Sequence, residues 1–363
     1  MCVVLAHSAV FFQNAFGKDI RFGSIIINAG YYGVVFFYVL SGFLITYLLE
    51  TEKINTGSIA VRNFYMRRVL RIWPLYYLII VISFLLLYLW NSVFVLGGSS
   101  SSLLPMLLYF LFLPNIVPAC GFYLATCFHT YTIGYEEQFY LIWPIVLKRI
   151  KYNLLSSLTV LFFLPLALEL FHLYLNAHIP GRKGPFIFGI RAVLTFIDYS
   201  NMAAFIAGAI GALLFIRGKG KLLRMTGMQA FPYFLMALLL WLMYAGNPKL
   251  PGYVNIVSLL FTLLILTCVQ STFPVNRIGR LLALGGKISY GIYIYHPLVL
   301  ILVSLGLKSA NLSLPGSPLF TYLLYVGLSI AVVLLIASCS YKFFEQPFLR
   351  MKTGFKAGAL SRT

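Results

Sequence analysis

The sequence predicts an all-α, polytopic transmembrane helical bundle of about ten spans. Three observations carry that prediction. First, the chain is 61% hydrophobic and only 10% charged, where a soluble domain carries roughly a quarter charged residues. Its mean hydropathy is +0.92. Second, the apolar residues form long continuous runs, whereas a membrane β-barrel shows short segments of alternating polarity. Third, the 27 Lys and Arg residues are concentrated between those runs.

A span needs about 20 apolar residues. Ten are read along the chain, at 1–16 (short), 30–49, 72–90, 130–147, 154–175, 197–216, 227–245, 253–270, 282–306 and 319–344. Leu103 to Pro114 is apolar but short and bounded by prolines, so it reads as a re-entrant or interfacial piece. The loops test the count. With the 50–71 loop in the cytoplasm, loops 148–152, 217–226 and 271–281 and the C-terminal tail fall on the same side. Together with Lys287 and Lys342 near helix ends, that side holds 20 of the 27 basic residues. The other side keeps Lys18, Arg21, Arg182, Lys183, Arg191, Lys249 and Lys308. This asymmetry places both termini in the cytoplasm. It also accounts for the net charge of +19 without nucleic acid, which is excluded as a partner.

The organisation is one membrane-embedded domain over 1–350 with a cytoplasmic tail over 351–363. Gly97–Ser102 reads as a flexible outer linker. The cluster at 182–191 reads as a solvated loop, or as a contact with an anionic acceptor or lipid. The five cysteines show no metal spacing. Cys120 and Cys127 share one loop and either pair in an oxidising compartment or remain free thiols. Met1 to Phe16 has no basic leader or cleavage site. It reads as the end of a span that begins upstream.

Polar residues inside the apolar runs are the functional candidates, because an ionisable group in the bilayer is costly. Glu136 and Glu137, two of only eight acidic residues, lie in the aromatic run Thr130 to Pro144. Adjacent helical positions point about 100° apart, so one faces a cavity and the other a structural partner; Glu137 is assigned the structural place. His7 lies in the first run and His296, followed by Pro297, in the ninth. Either histidine reads as a site residue or as a helix–helix hydrogen-bonding group. Ser41-Gly42 reads as a site or as a close helix contact. Ser41 lies roughly 16 Å into its span, Glu136 about as deep from the other side, and His296 roughly 21 Å. His129, His172 and His178 are assigned no role. Arg67, Arg68 and Arg71 stand at the cytoplasmic rim, where Arg68 and Arg71 share a helix face. They read as topology anchors or as a phosphate-binding face, since guanidinium binds phosphate bidentately. Glu345 could pair with one of them.

Taken in order, these motifs resemble those of acyltransferase family 3. The matching elements are His7 in the first span, Phe36-Phe-x-x-Leu-Ser-Gly-Phe43, and Arg67-Arg-x-x-Arg-Ile-x-Pro-x-Tyr76. They continue with Glu136-Glu-Gln-Phe-Tyr-Leu-x-x-Pro144, Ile288-Ser-Tyr-x-x-Tyr-x-x-His-Pro297 and Glu345-x-Pro347. The set runs from residue 7 to 347, nearly the whole chain.

The resemblance implies a ten-helix membrane enzyme that takes an acyl group from a cytoplasmic acyl-CoA. The acceptor would be a hydroxyl on an extracytoplasmic glycan, lipid-linked sugar or peptidoglycan at the cell inner membrane. Acyl-CoA is a co-substrate, and no bound cofactor or metal is expected. His7 would be the catalytic base. Arg67, Arg68 and Arg71 would hold the donor phosphates. Glu136 or Glu137 and His296 would orient or polarise groups in the cavity, with Tyr140 and Tyr290 of the same motifs as further substrate-binding candidates. Ser41 would be a nucleophile only if an acyl-enzyme forms. The chain departs from the family pattern in lacking a basic residue about ten positions before His7, and in having Tyr131 and Tyr135 where Trp and Val are common. A proton-coupled transporter is the main competing reading, since buried Glu and His also build proton relays, and an inactive, N-terminally truncated relative is the second. The ordered motifs and the arginine rim favour the enzyme.

Overall fold

The computed structural model describes residues 1–17, 23–89, 95–97, 103–150, 153–178, 200–218, 230–245, 250–270, 277–310 and 318–355, with isolated positions between. Helices dominate. They are α1 (Cys2–Phe16), α2 (Gly23–Thr56), α3 (Val61–Leu89), α4 (Leu103–Phe110), α5 (Tyr131–Arg149), α6 (Leu154–His178), α7 (Met202–Arg217), α8 (Phe231–Ala245), α9 (Tyr253–Gln270), α10 (Arg277–Ser309), α11 (Pro318–Ser340) and α12 (Gln346–Met351). A π-helical turn, Tyr341–Glu345, joins α11 to α12. One small antiparallel pairing links Val95–Gly97 to Tyr123–Leu124.

Every span expected from the sequence contains a helix, and the chain is a multi-pass membrane bundle. Among the described residues six helices are long and apolar enough to cross a membrane, and α1, α7 and α8 are shorter apolar helices. The fourth expected span, α5, carries Glu136, Glu137 and Gln138 and is not among the six. The Leu103–Pro114 piece forms only the eight-residue α4, ending near Phe112 at a positive φ of 57°. Helix α3 begins earlier than the apolar run, so Arg67, Arg68 and Arg71 are helical. The basic cluster at 182–191 and most of the Gly97–Ser102 tract lie outside the described residues, as do 356–363 of the tail. Cys120 and Cys127 are both free thiols, the latter buried.

The chain divides into two compact units. The first comprises Met1–Tyr31, Ala60–Leu141 and Phe273–Leu360. Here α1 packs on α10 and α11. Phe12 is fully buried among Leu300, Tyr322 and Tyr325, and Ser8 Oγ lies 3.0 Å from the Tyr322 hydroxyl. These contacts fix the rotation of α1 and so the direction of His7. Gly30 permits the approach of α2, because a Cβ there would lie 2.4 Å from Ala6 Cβ.

The second unit comprises Tyr32–Ile59, Ile142–Thr272 and Ser361–Thr363. Its centre is the crossing of α2 with α7, whose Ala204, Gly208 and Ala212 recur every fourth residue and are buried. A Cβ on Gly208 would lie 2.0 Å from the Val39 carbonyl oxygen, and one on Gly42 2.0 Å from that of Phe205. The backbones therefore touch, as small-residue helix crossings in membranes do. Helix α9 packs on α7, where Gly211 accommodates Thr262.

Candidate active site

Within the first unit, His7 and His296, 289 residues apart in sequence, meet at 2.7 Å between Nδ1 of His7 and Nε2 of His296. Their rings lie nearly parallel with centroids 5.0 Å apart. The local sequence explains why His296 points this way. Pro297 has no N–H, so the carbonyl four residues earlier, that of Tyr293, loses its helical donor. His296 Nδ1 donates to that carbonyl at 2.6 Å.

A carbonyl only accepts, so this bond fixes the tautomer of His296: the proton is on Nδ1 and the lone pair on Nε2. Nε2 therefore accepts from His7 Nδ1–H. In neutral His7 the lone pair is then left on Nε2, the nitrogen a general base needs. His296 is fully buried, while His7 is half-buried.

The chain of contacts continues away from His7. The Tyr293 hydroxyl donates to the His129 carbonyl at 2.8 Å and is also hydrogen-bonded to Thr132 Oγ1. The His129 ring stands 4.9 Å from that of His296 and 5.0 Å from that of Tyr293. Its two nitrogens are buried and have no hydrogen-bond partner among the described residues. Phe128 covers His7 with centroids 4.8 Å apart. The sequence reading assigned His129 nothing and did not single out Tyr293. The signal was Pro297, whose missing donor marks residue 293.

The glutamates take separate places on α5. Glu136 is buried and accepts from the hydroxyl of Tyr140, one turn on. Glu137 accepts from Trp73 Nε1 at 3.2 Å, and its Oε1 is buried with no hydrogen-bond partner. The α5 segment is itself held by the reciprocal amide pair Asn115–Gln138, at 3.0 and 3.3 Å. Gly134 is needed there, since a Cβ would lie 2.6 Å from Asn115 Oδ1. Tyr131 and Tyr135 meet edge-on.

The three rim arginines diverge. Arg67 donates to the Phe355 carbonyl at 3.0 Å. Arg68 lies over the rings of Phe64 and Tyr140, at 5.4 and 5.2 Å. Arg71 lines a cavity of about 240 Å³ together with Lys287, Tyr290, Tyr341 and Glu345. Tyr290 is thus placed at this cavity rather than beside the histidines, its hydroxyl bound to the Ile72 carbonyl at 2.8 Å. Lys287, Tyr290, Tyr293 and His296 fall at intervals of three on α10. Along the helix axis Lys287 and His296 are roughly 14 Å apart, on opposite sides of the helix.

Ser41 belongs to the second unit and is buried. It precedes Gly42, whose backbone lies against Phe205, so Gly42 makes the close helix contact.

A family model described as an acyltransferase domain matches residues 1–338. Among curated proteins the chain is similar to the O-acetyltransferase OatA of Staphylococcus aureus strains NCTC 8325, COL and MRSA252. Each is 24% identical over 348 residues, which is 92% of this chain and 54% of the relative. The chain therefore spans about half the length of these relatives. No solved structure matches it.

Proposed function

The chain belongs to acyltransferase family 3, and we propose that it transfers a small acyl group, acetyl first, from acyl-CoA to a hydroxyl of a saccharide or lipid-linked sugar. In this reading the protein lies in the inner membrane with both termini in the cytoplasm. The donor then enters from the side of Arg67, Arg68 and Arg71, and the acceptor from the opposite side.

The observation that carries the reading is the tautomer of His7. Its Nε2 lone pair removes the proton of the acceptor hydroxyl as the oxygen attacks the thioester carbonyl carbon. The new C–O bond forms, and the tetrahedral intermediate collapses with cleavage of the C–S bond. The proton held on His7 passes to the departing thiolate, giving an O-acyl acceptor and free coenzyme A. Throughout, His7 Nδ1–H remains on His296, whose own Nδ1–H remains on the Tyr293 carbonyl. His296 therefore orients the base without changing its protonation. Direct transfer needs no serine, and Ser41 lies in the other unit beside the close contact of Gly42. The OatA relatives are named as O-acetyltransferases, which supports acetyl as the first donor to try.

The test is transfer of label from radiolabelled acetyl-CoA into glycan and lipid-sugar fractions of membranes containing the protein, beside a His7→Ala variant. Label that appears with the parent chain and is lost with His7→Ala supports the reading. Equal label with both variants, or none with acetyl-CoA or succinyl-CoA, overturns it.

A further inference from the structure

One turn of the chain touches both histidines of the site. It is the 3₁₀ turn Phe128–Thr130, which leads directly into α5. Phe128 packs on His7, with ring centroids 4.8 Å apart and planes 56° apart. The next residue, His129, meets His296 edge to face, with centroids 4.9 Å apart and planes 67° apart. It meets Tyr293 in the same way, at 5.0 Å. His129 is buried, and neither of its ring nitrogens has a hydrogen-bond partner among the described residues. What this ring offers its neighbours is therefore its flat shape and its edge.

The turn is held from both sides. The Cys127 carbonyl accepts from the Thr130 N–H at 3.0 Å and from Thr130 Oγ1 at 2.7 Å. The Cys127 N–H donates to the Leu124 carbonyl at 3.1 Å. The His129 carbonyl accepts from the Thr132 hydroxyl at 3.1 Å and from the Tyr293 hydroxyl at 2.8 Å. Tyr293 thus ties α10 to the turn through its side chain, while its own carbonyl holds Nδ1 of His296. Cys127, His129 and Thr130 are all buried. A segment so anchored is a fixed wall.

Hydrogen bonds alone leave the histidine pair some freedom. Bonds at Nδ1 and Nε2 fix two points of the His296 ring, which can still tilt about the line joining them. Contact with the ring face stops that tilt, and His129 supplies it. His7 is bound to the pair at Nδ1. A swing about that bond would turn its Nε2 lone pair away, and Phe128 stands against the swing. A misplacement of about 1 Å can cost about 10²-fold in rate, so a base needs such support. We propose that Phe128 and His129 are positioning residues. As one rigid turn they clamp the two rings, Phe128 holding His7 and His129 holding His296. The consequence for rate rests on His7 as the base assigned above; the clamp itself does not. His129 acts through the edge of its ring and moves no proton.

The test reads the clamp without turnover, by ring-nitrogen NMR of isotope-labelled histidine in the purified full chain in detergent. Alkaline conditions keep imidazole neutral, and His7→Gln and His296→Gln assign the signals. The parent chain is compared with His129→Ala, His129→Phe and Phe128→Ala. A held ring keeps separate signals for its protonated and unprotonated nitrogens, and a loose ring averages them. The expected result is separate signals for both histidines in the parent chain and in His129→Phe. Those of His296 should average in His129→Ala, and those of His7 in Phe128→Ala. Phe128 is only half-buried, so its replacement carries the test where His129→Ala fails to fold. In label transfer from acetyl-CoA, kcat should fall about tenfold or more in both alanine variants, with KM for acetyl-CoA unchanged and His129→Phe restoring the rate. Separate signals, or an unchanged kcat, in both alanine variants overturn the proposal. A loss in His129→Phe as deep as in His129→Ala also overturns it, because the nitrogens would then do the work. Averaged signals in the alanine variants with no transfer by the parent chain retain the clamp and overturn the proposed transfer.

Discussion

The two units use buried space in opposite ways. In the first, polar groups gather where apolar ones would be cheaper: His7, His129 and His296, with Glu136 and Glu137 a few turns away. His129 and Glu137 even retain buried polar atoms without a partner. Such groups cost free energy unless satisfied, so this unit gives up stability to hold them together. In the second unit the central crossing is built from Gly42, Gly208 and Gly211 against backbone and Thr262. Its polar pairs are local ties, such as the Tyr32–Tyr253 hydroxyls and Asn255 Nδ2 on the Phe162 carbonyl at 2.8 Å. On the proposed reading one unit keeps chemistry and the other keeps shape. Substitutions in the first should therefore change rate more than stability, and those in the second the reverse.

The largest effect expected is that of His7→Ala. Removing a general base costs about 10²–10⁴ in kcat, while leaving the buried His296 Nε2 without its donor costs only about 1–3 kcal/mol of stability. A large loss of stability instead would blur the contrast between the units. Next is Gly208→Val. A Cβ 2.0 Å from a carbonyl oxygen forces the helices apart, and overpacking of this kind costs roughly 1–3 kcal/mol or more. Thermal denaturation in detergent should show it as a lower melting temperature, while the rate per folded molecule stays close to that of the parent chain.

Pro297→Ala sharpens the comparison inside the first unit. Alanine restores an N–H to the Tyr293 carbonyl and competes with His296 Nδ1 for it. The tautomer is no longer fixed, and kcat should fall by about tenfold although alanine favours the helix. A higher melting temperature together with a lower kcat would be the signature of a positioning proline. Tyr32→Phe should have the smallest effect. It removes one buried hydroxyl pair in the second unit, worth about 0.5–1.5 kcal/mol. Turnover should not change, and any marked loss of turnover would contradict the division of labour.

Much of this was legible in sequence because the relevant rules are local. Apolar run length gives the helices, and a proline frees the carbonyl four residues back, so Pro297 and Tyr293 could be paired without coordinates. Small residues at every fourth position in α7 announce a close helix contact. Lys287 shows where local rules stop. Counted in sequence it is one more positive-inside charge, and only its neighbours Arg71 and Glu345 set it apart. His129 shows the same limit, since nothing within a few residues of it points to His296.

By itself, then, the sequence determined the class of molecule, the helices and the residues able to act, because hydropathy and backbone hydrogen bonding depend on near neighbours along the chain. Tertiary structure alone decided which of those residues meet. It set His7 against His296 across 289 positions, sent the three arginines of one motif to three different surroundings, and pressed Gly42 against Phe205. The physical reason is that a hydrogen bond or a cation–π contact is decided by distances of a few ångströms in space, and helix packing sets those distances independently of separation in sequence.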